Sequence, residues 1–231
     1  FCQSQSRRST RTERATDMTP LYEKYRPNSW DDVVGQDRVV AKIMALARRG
    51  LGGRAYWLSG QSGTGKTTIA RLIAQVIADG QNIIELDASQ CTAAFLRQIE
   101  GDMAYMGMGS RPGKAYLINE AHGLRSDAIR QLLVLIERLP DHVAIVFTTT
   151  CDGQDRLFED QIDAHPLLSR CIVLPLARRD ICEPLARRAR EIAVSEGLDG
   201  KPFAEYVKLL RLHKNNLRAA IQDIETGAMM D

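Results

Sequence analysis

The sequence lacks long hydrophobic runs, is poor in aromatic residues and carries almost no net charge. No apolar run in its 231 residues approaches the roughly 18 residues that a membrane-spanning helix needs. Aromatic residues make up 6% of the chain, which disfavours recognition of nucleic-acid bases by stacking. The net charge of +2 neither favours nor excludes a nucleic-acid partner. We expect a soluble, intracellular protein without a membrane partner, whose other partners must be inferred from its sites.

The cysteines are few and scattered along the chain. They form no CxxC pair and no Cys/His cluster with zinc-finger spacing. This pattern predicts reduced, structural thiols, as is usual in the cytosol. The five cysteines are Cys2, Cys91, Cys151, Cys171 and Cys182.

Residues 1–17 are rich in Arg, Ser and Thr and show no apolar periodicity. This composition predicts a disordered segment. A translated leader or the edge of a fragment is one interpretation. A basic arm for nucleic acid and an organelle transit peptide are the alternatives.

From residue 36 the chain alternates between helical and strand-like patterns, which predicts an α/β fold. Continuous apolar strands separated by helices are typical of a parallel sheet covered on both faces. The predicted strands are 55–59, 82–86, 115–118, 143–148 and 171–174, and the predicted helices after Pro175 are 178–196, 202–212 and 216–226. We predict a nucleotide-binding domain at 18–176 and a small helical lid domain at 177–231.

The segment "GQSGTGKT" matches the phosphate-binding pattern G-x-x-x-x-G-K-[ST] and lies between a predicted strand and a predicted helix. Its glycines allow backbone N–H groups to approach a phosphate, and the following helix N-terminus favours negative charge. The pattern predicts that Lys66 reaches the outer phosphates of a nucleotide and that Thr67 binds Mg²⁺. The predicted nucleotide-binding residues here are Gly60, Gln61, Ser62, Gly63, Thr64, Gly65, Lys66, Thr67 and Thr68.

The segment "AYLINEAHGL" ends a predicted strand with Asn119 and Glu120. Open parallel sheets build their sites at the carboxyl ends of strands. Glu120 is a candidate base that orients and deprotonates the attacking water. Asn119 occupies the position where an Asp would meet Mg²⁺ through its water shell. Because an amide carries no charge, we expect weakened but not abolished handling of the metal.

Six segments in this order resemble the boxes of the AAA+ clamp-loader ATPases, the subunits of replication factor C and of the bacterial DNA polymerase III tau/gamma subunit. They are "LYEKYRPNSWDDVVGQDRVV", "GQSGTGKT", "ELDAS", "NEAHGL", "LSRC" and "NNLRAAI". The resemblance covers residues 20–226. It implies an AAA+ core that binds ATP and Mg²⁺ and a helical lid.

The resemblance also implies roles for residues outside the phosphate loop. Tyr25, Arg26 and Val34 would lie near the adenine base, and Thr149 would be the sensor that contacts the γ-phosphate or the water. Arg170 would be an arginine finger that reaches a neighbouring subunit, and Arg218 would be the sensor on the lid. A finger that acts in trans requires an oligomer.

The function implied is a DNA-dependent ATPase subunit that loads a sliding clamp on primed DNA and holds the DNA backbone without reading its sequence. Its location would be cytoplasmic, at the nucleoid or replication fork, or nuclear in a eukaryote. Two alternatives stay open: a structural clamp-loader subunit that does not hydrolyse ATP, and a related AAA+ ATPase of branched-DNA or recombination repair. Family members continue beyond the lid into a helical collar, whereas this sequence ends at Asp231, so it is either a fragment or a subunit that assembles differently.

Overall fold

A five-stranded, fully parallel sheet forms the centre of the protein, as the sequence predicts. The computed structural model describes residues 19–150 and 164–230, so the segment 1–17 lies outside the described residues. The strand order is β2-β3-β4-β1-β5, and each strand lies within two residues of its predicted bounds. The strands are β1 (Arg54–Gly60), β2 (Ile83–Asp87), β3 (Lys114–Asn119), β4 (Val143–Thr150) and β5 (Cys171–Pro175).

Helices cover both faces of the sheet and continue after it. The first helices are α1 (Leu21–Lys24), α2 (Asp37–Ala47), α3 (Lys66–Ile77), α4 (Ala93–Met103), α5 (Ser126–Ile136) and α6 (Ala164–Ser169). The last three are α7 (Cys182–Glu196), α8 (Phe203–Leu212) and α9 (Leu217–Glu225). We call α7, α8 and α9 the C-terminal helices.

The central strands are buried because apolar side chains point to both faces. On one face Leu58 and Val146 pack against Ile69 of α3. On the other face Trp57 and Phe147 have ring centroids 5.3 Å apart and pack with apolar residues of α4 and α5. Burial of each large apolar side chain stabilises the fold by about 1.5–3 kcal/mol. This two-sided burial explains why the strands read as continuous apolar runs.

The first C-terminal helix begins later than the sequence predicts, at Cys182 instead of residue 178. The side chain of Arg178 donates to the backbone carbonyls of Lys214 and His213, and Asp180 has a left-handed φ of 61°. These contacts hold the connection from β5 in a turn. The other two C-terminal helices begin within one residue of their predicted starts.

The C-terminal helices pack around their own apolar cluster, in which Leu185, Ala189, Tyr206, Leu210 and Ile224 are buried. The division of the chain near residue 176 nevertheless stays a prediction. None of the helices in the described part of the chain is long and apolar enough to cross a membrane.

Three of the cysteines lie in the described residues, and all three are free thiols: Cys91, Cys171 and Cys182. Burial raises the pKa of Cys91 to about 11 and that of Cys171 to about 12. Both thiols therefore stay protonated and weakly nucleophilic at neutral pH. Cys2 and Cys151 lie outside the described residues.

The side chain of Gln36 joins the phosphate loop to the start of the C-terminal region. Its Nε2 donates to the carbonyl of Ala177 at 2.8 Å and lies 3.4 Å from the carbonyl of Thr64. Its Oε1 accepts from the N–H of Ala177 at 2.9 Å. Gln36 is only 4% exposed, so water cannot easily replace it as a partner for these backbone groups.

We predict that Gln36→Ala lowers the free energy of unfolding by about 2–3 kcal/mol, because it leaves buried backbone groups without partners. Thermal unfolding measures this change. Gln98→Ala is the matched control, since Gln98 is exposed on α4 and should change stability by less than about 0.5 kcal/mol. Equal stability of the two variants would contradict a structural role for the Gln36 bridge.

Candidate functional site

The phosphate loop follows β1 and leads directly into α3. Gly63 and Gly65 have φ values of 76° and 92°, a left-handed conformation that favours glycine. Gly65 is the N-cap of α3, and this helix has neither a side-chain cap nor an acidic residue in its first turn. The first N–H groups of α3 therefore have no side-chain acceptor of that kind, which suits this end of the helix to an anion.

Lys66 lies against the loop that precedes it. Its Nζ donates to the carbonyls of Gly60 at 2.8 Å and Gln61 at 3.0 Å, and the residue is 7% exposed. The hydroxyl of Thr64 also donates to the carbonyl of Gln61, at 2.8 Å. These bonds place the ammonium group within the loop. Thr67 and Thr68 follow in the first turn of α3, whereas Ser62 is exposed.

A cleft of about 870 Å³, solvent at its mouth included, lies between the phosphate loop, residues 22–36 and the C-terminal helices. We call residues 22–36 the N-terminal segment. Clefts between several structural elements are common places for small-molecule sites. It brings together most of the predicted base-binding and phosphate-binding residues. Those on its wall are Tyr25, Arg26, Val34, Gly63, Thr64, Gly65, Thr68 and Arg218.

Arg26 lines this cleft and has a buried hydrogen-bond donor without a partner among the described residues. Its Nη2 pairs with the carboxylate of Glu23, but its buried Nε has no hydrogen-bond partner among the described residues. Burial raises the pKa of Glu23, yet hydrogen bonds and charges of Arg26 and Arg71 outweigh it, and the net pKa is lowered. Since buried donors are rarely left unpaired, the Nε of Arg26 fits a ligand with an acceptor in the cleft.

Tyr25 and Arg218 are also oriented by neighbours. The hydroxyl of Tyr25 donates to Oε1 of Glu196 at 2.5 Å, and this bond raises the pKa of Tyr25. The guanidinium carbon of Arg218 lies 5.5 Å from the ring centroid of Tyr22, a cation–π contact. Both residues join the N-terminal segment to the C-terminal helices around the cleft.

Asn119 and Glu120 lie at the carboxyl end of β3, and neither belongs to the wall of the cleft described above. Asn119 Nδ2 donates to Oε1 of Glu85 at 2.8 Å, and its Oδ1 accepts from the hydroxyl of Thr148 at 2.9 Å. Glu120 has a left-handed φ of 52°, which is uncommon for a residue other than glycine and is found at functional sites.

The two oxygens of the Glu120 carboxylate differ in their contacts. Oε1 accepts from the hydroxyl of Thr150 at 3.2 Å. Oε2 is buried and has no hydrogen-bond partner among the described residues, although Nδ1 of His122 lies 3.4 Å away. The arrangement holds one oxygen and leaves the other able to accept a proton.

The structure does not bring Thr149 together with Glu120. Along β4, Val146 packs on the α3 face and Phe147 on the opposite face. Since side chains alternate along a strand, Thr148 and Thr150 lie on the face of Asn119 and Glu120, and Thr149 faces away. Sequence reasoning missed Thr150 because three consecutive threonines give no indication of which face each occupies.

Arg170 lies on the surface between α6 and β5, away from the wall of the cleft. Its Nε and Nη2 lie 2.7 and 2.6 Å from Oε1 of Glu137, and its Nη1 donates to the carbonyl of Pro166 at 3.0 Å. The side chain is 38% exposed. Arg170 therefore does not reach the phosphate loop of its own chain in this arrangement.

Asn216 and Arg178 contact the phosphate loop and were also missed. A Cβ on Gly63 would lie 1.9 Å from Oδ1 of Asn216, so only glycine fits beneath this amide. The same Oδ1 accepts from the N–H of Ala219 and caps α9. Arg178 Nη1 donates to Oε1 of Gln61 at 2.5 Å. The capping pattern in "NNLRAAI" could have indicated the role of Asn216 in the helix, but not its contact with Gly63.

The residues at this edge of the sheet fit a nucleoside triphosphate with Mg²⁺. No group of three or more His, Cys, Asp or Glu side chains that could hold a metal by themselves occurs within the described ranges. Mg²⁺ commonly binds through one or two protein oxygens together with phosphates and water. The hydroxyl of Thr67, and the amide oxygen of Asn119 through a water, would hold it here.

Comparisons with known proteins identify a matching family and several relatives of this chain. The family model for the ATPase family associated with various cellular activities (AAA) matches residues 56–171. The chain is 30% identical to DNA polymerase III subunit tau of Escherichia coli, covering 87% of this chain and 33% of that protein. It is 29% identical to DNA polymerase III subunit gamma of Buchnera aphidicola, covering 89% and 60%. It is 28% identical to replication factor C small subunit 1 of Pyrobaculum arsenaticum, covering 90% and 61%.

Among solved structures, RuvB of Thermotoga maritima superimposes with a TM-score of 0.67 at 23% identity, covering 87% of this chain and 64% of that chain. At this identity the likeness concerns the fold alone. The chain spans between one third and three fifths of the length of the three curated relatives. The chain is similar to clamp-loader subunits. The matched family model, together with the parallel sheet and the phosphate loop, shows that the chain belongs to the ATPase family associated with various cellular activities.

Proposed function

We propose that the chain is an ATP-binding and ATP-hydrolysing subunit of a clamp-loader-like complex that loads a sliding clamp on primed DNA. The observation that carries the ATP part is the cleft, whose wall includes both Arg26, with its buried and unpartnered Nε, and Gly65 at the N-terminus of α3. An adenine acceptor satisfies the first group and a phosphate satisfies the second. The clamp and DNA part rests on the similarity to clamp-loader subunits.

In binding, the base lies between the N-terminal segment and the C-terminal helices, beside Tyr25, Arg26 and Val34. The phosphates lie on the loop, where Lys66 leaves its backbone acceptors for stronger, charged ones. Arg218 neutralises charge from the side of the C-terminal helices. Magnesium, when bound beside Thr67 and Asn119, supplies charge neutralisation on the outer phosphates.

In hydrolysis, the oxygen of a water molecule bonds to the γ-phosphorus, and Oε2 of Glu120 accepts a proton from that water. The bond between the γ-phosphorus and the oxygen of the β-phosphate breaks, which yields ADP and phosphate. Positioning and charge stabilisation supply most of the rate in this kind of reaction. Thr150 holds the other oxygen of Glu120 and so aims the carboxylate. We assign to Thr150 the sensor role that the sequence resemblance implied for Thr149.

Arg170 serves the ATP site of a neighbouring subunit in this proposal. Its exposed position and its distance from the cleft of its own chain support action in trans. The bond to Glu137 keeps the guanidinium on the surface until a neighbouring triphosphate competes for it. The partners are other clamp-loader subunits, the sliding clamp and the backbone of primer-template DNA. The cytoplasmic or nuclear location stays a prediction.

A non-hydrolysing structural subunit is the second candidate, because Asn119 lacks the charge of an Asp. Oε2 of Glu120, which lacks a hydrogen bond, and the left-handed backbone of this residue favour the hydrolysing subunit. The repair ATPase has no separate observation in its favour, since the likeness to RuvB concerns only the fold.

The first test is ATP binding and phosphate release by the purified chain with Mg²⁺ and primed DNA. We expect Lys66→Ala to weaken ATP binding by about 100-fold, since it removes charged hydrogen bonds to phosphates. We expect Glu120→Gln to bind ATP like the wild type and to release phosphate about 100-fold or more slowly, because the general base is lost. Binding without turnover in the wild type would favour the structural subunit.

The sensor assignment is tested with two neighbouring threonines that have the same chemistry. Thr150→Val removes the hydroxyl that holds Glu120, and we expect it to lower the rate of phosphate release by about tenfold. Thr149→Val should leave the rate within about twofold, because its side chain faces away from Glu120. Thermal unfolding of both variants controls for stability, and the reverse ranking of the two rates would contradict the assignment.

The action of Arg170 in trans is tested by mixing two inactive variants. Arg170→Ala keeps its phosphate loop but lacks the finger, whereas Lys66→Ala lacks ATP binding but keeps the finger. If the finger acts between copies, the mixture should release phosphate severalfold faster than either variant alone, because a complete site forms at the mixed interface. Mixtures of each variant with Lys66→Ala/Arg170→Ala are the controls. No gain in the first mixture would contradict a finger shared between copies of this chain.

A further inference from the structure

The two hydrogen bonds of Asn119 point to opposite neighbouring strands. Its Nδ2 donates to Glu85 on β2, and its Oδ1 accepts from Thr148 on β4. In the sheet order, β3 lies between β2 and β4, and β4 lies next to β1, which leads into the phosphate loop. The carbonyl oxygen of the amide therefore faces the side of the phosphate loop, and its NH₂ group faces away from it.

The hydrogen-bond partners decide this orientation, because the oxygen atom and the NH₂ group of an amide are nearly equal in size. The hydroxyl of Thr148 can donate or accept a hydrogen bond and thus permits either orientation. An ionised carboxylate only accepts. Glu85 therefore requires the NH₂ group on its own side and selects the orientation of Asn119.

Glu85 is itself held in place by Arg71. Its Oε2 accepts from Nε of Arg71 at 2.9 Å, and Nη1 of Arg71 lies 3.3 Å from Oε1 of Glu23. Arg71 belongs to α3, the helix that begins at the phosphate loop. Both oxygens of Glu85 are thus engaged, one by Arg71 and one by Asn119.

We propose that Glu85 is a positioning residue that turns the carbonyl oxygen of Asn119 towards the phosphate side, where it accepts a hydrogen bond from a water of the Mg²⁺ shell. The inference rests on the proposed binding of ATP with Mg²⁺. An amide at residue 119 suits Glu85, because an Asp there would place a second carboxylate beside that of Glu85 with no hydrogen-bond donor between them. If the amide turned over, its NH₂ group would face the cation instead.

The test measures ATP affinity with Mg²⁺ and with EDTA, and the ratio of the two affinities reports the contribution of the metal. In Glu85→Gln the side chain of residue 85 can donate or accept, so Asn119 is no longer fixed, and we expect this ratio to fall by about three- to tenfold, of the size that one hydrogen bond gives. Glu23→Gln is the matched control. It also removes a carboxylate partner of Arg71 but does not touch Asn119, so it should change both affinities equally and leave the ratio unchanged.

A second comparison separates this effect from a general loss of stability. In Glu85→Gln/Asn119→Asp the amide at residue 85 donates to a carboxylate at residue 119, which presents an acceptor in either orientation. We expect the double variant to reach at least the wild-type ratio, and Asn119→Asp alone to unfold at a lower temperature than the double variant. Thr148→Val, which keeps Glu85, should change the ratio less than Glu85→Gln does.

Equal ratios for Glu85→Gln and Glu23→Gln, or additive effects of the two substitutions in the double variant, would overturn the inference. A wild-type affinity that does not depend on Mg²⁺ would also overturn it while leaving ATP binding intact. Failure of the wild type to bind ATP at all would remove the proposed function as well, so the two failures are distinguishable.

Discussion

Burial of strand β1 on both faces is the constraint on which the rest of the structure depends. Tyr56 and Leu58 pack on the face covered by α3, and Trp57 packs on the other face. A strand without a solvent-facing side must lie inside a covered sheet, and parallel pairing with β4 and β5 satisfies its backbone groups. Because all five strands run in one direction, their carboxyl ends share one edge. The phosphate loop, Asn119 and Thr150 meet there for that reason.

Residues that flank the C-terminal helices contact the phosphate loop where a nucleotide would bind. Asn216 lies on Gly63, and Arg178 bonds to the side chain of Gln61. Gln36 joins the carbonyl of Thr64 to both backbone groups of Ala177. Phosphates that enter the loop must share this space with side chains from the C-terminal region. The proposed nucleotide binding would therefore be coupled to the arrangement of these helices by direct contacts.

The parts predicted from sequence are those encoded by local patterns. Five apolar runs predicted the five strands that the sheet contains. The spacing of glycine, lysine and threonine predicted the phosphate loop, in which Gly63 and Gly65 adopt left-handed backbone conformations. The parts not predicted depend on which face or which distant partner a side chain meets. Thr149 and Thr150 are chemically identical, and only the register of β4 distinguishes them. The late start of α7 likewise depends on Arg178 bonding to carbonyls 35 and 36 residues away.

The polar contacts beside Asn119 form one chain of alternating charge that local patterns could not reveal. Glu85 pairs with Arg71, Arg71 with Glu23, and Glu23 with Arg26 in the cleft. Two acids and two arginines balance, so the neutral amide of Asn119 completes the chain without adding charge. In the sequence, Asn119 is an uncharged residue at a position where an Asp is expected. Beside the carboxylate of Glu85, a neutral hydrogen-bond donor is the group that the electrostatics favour.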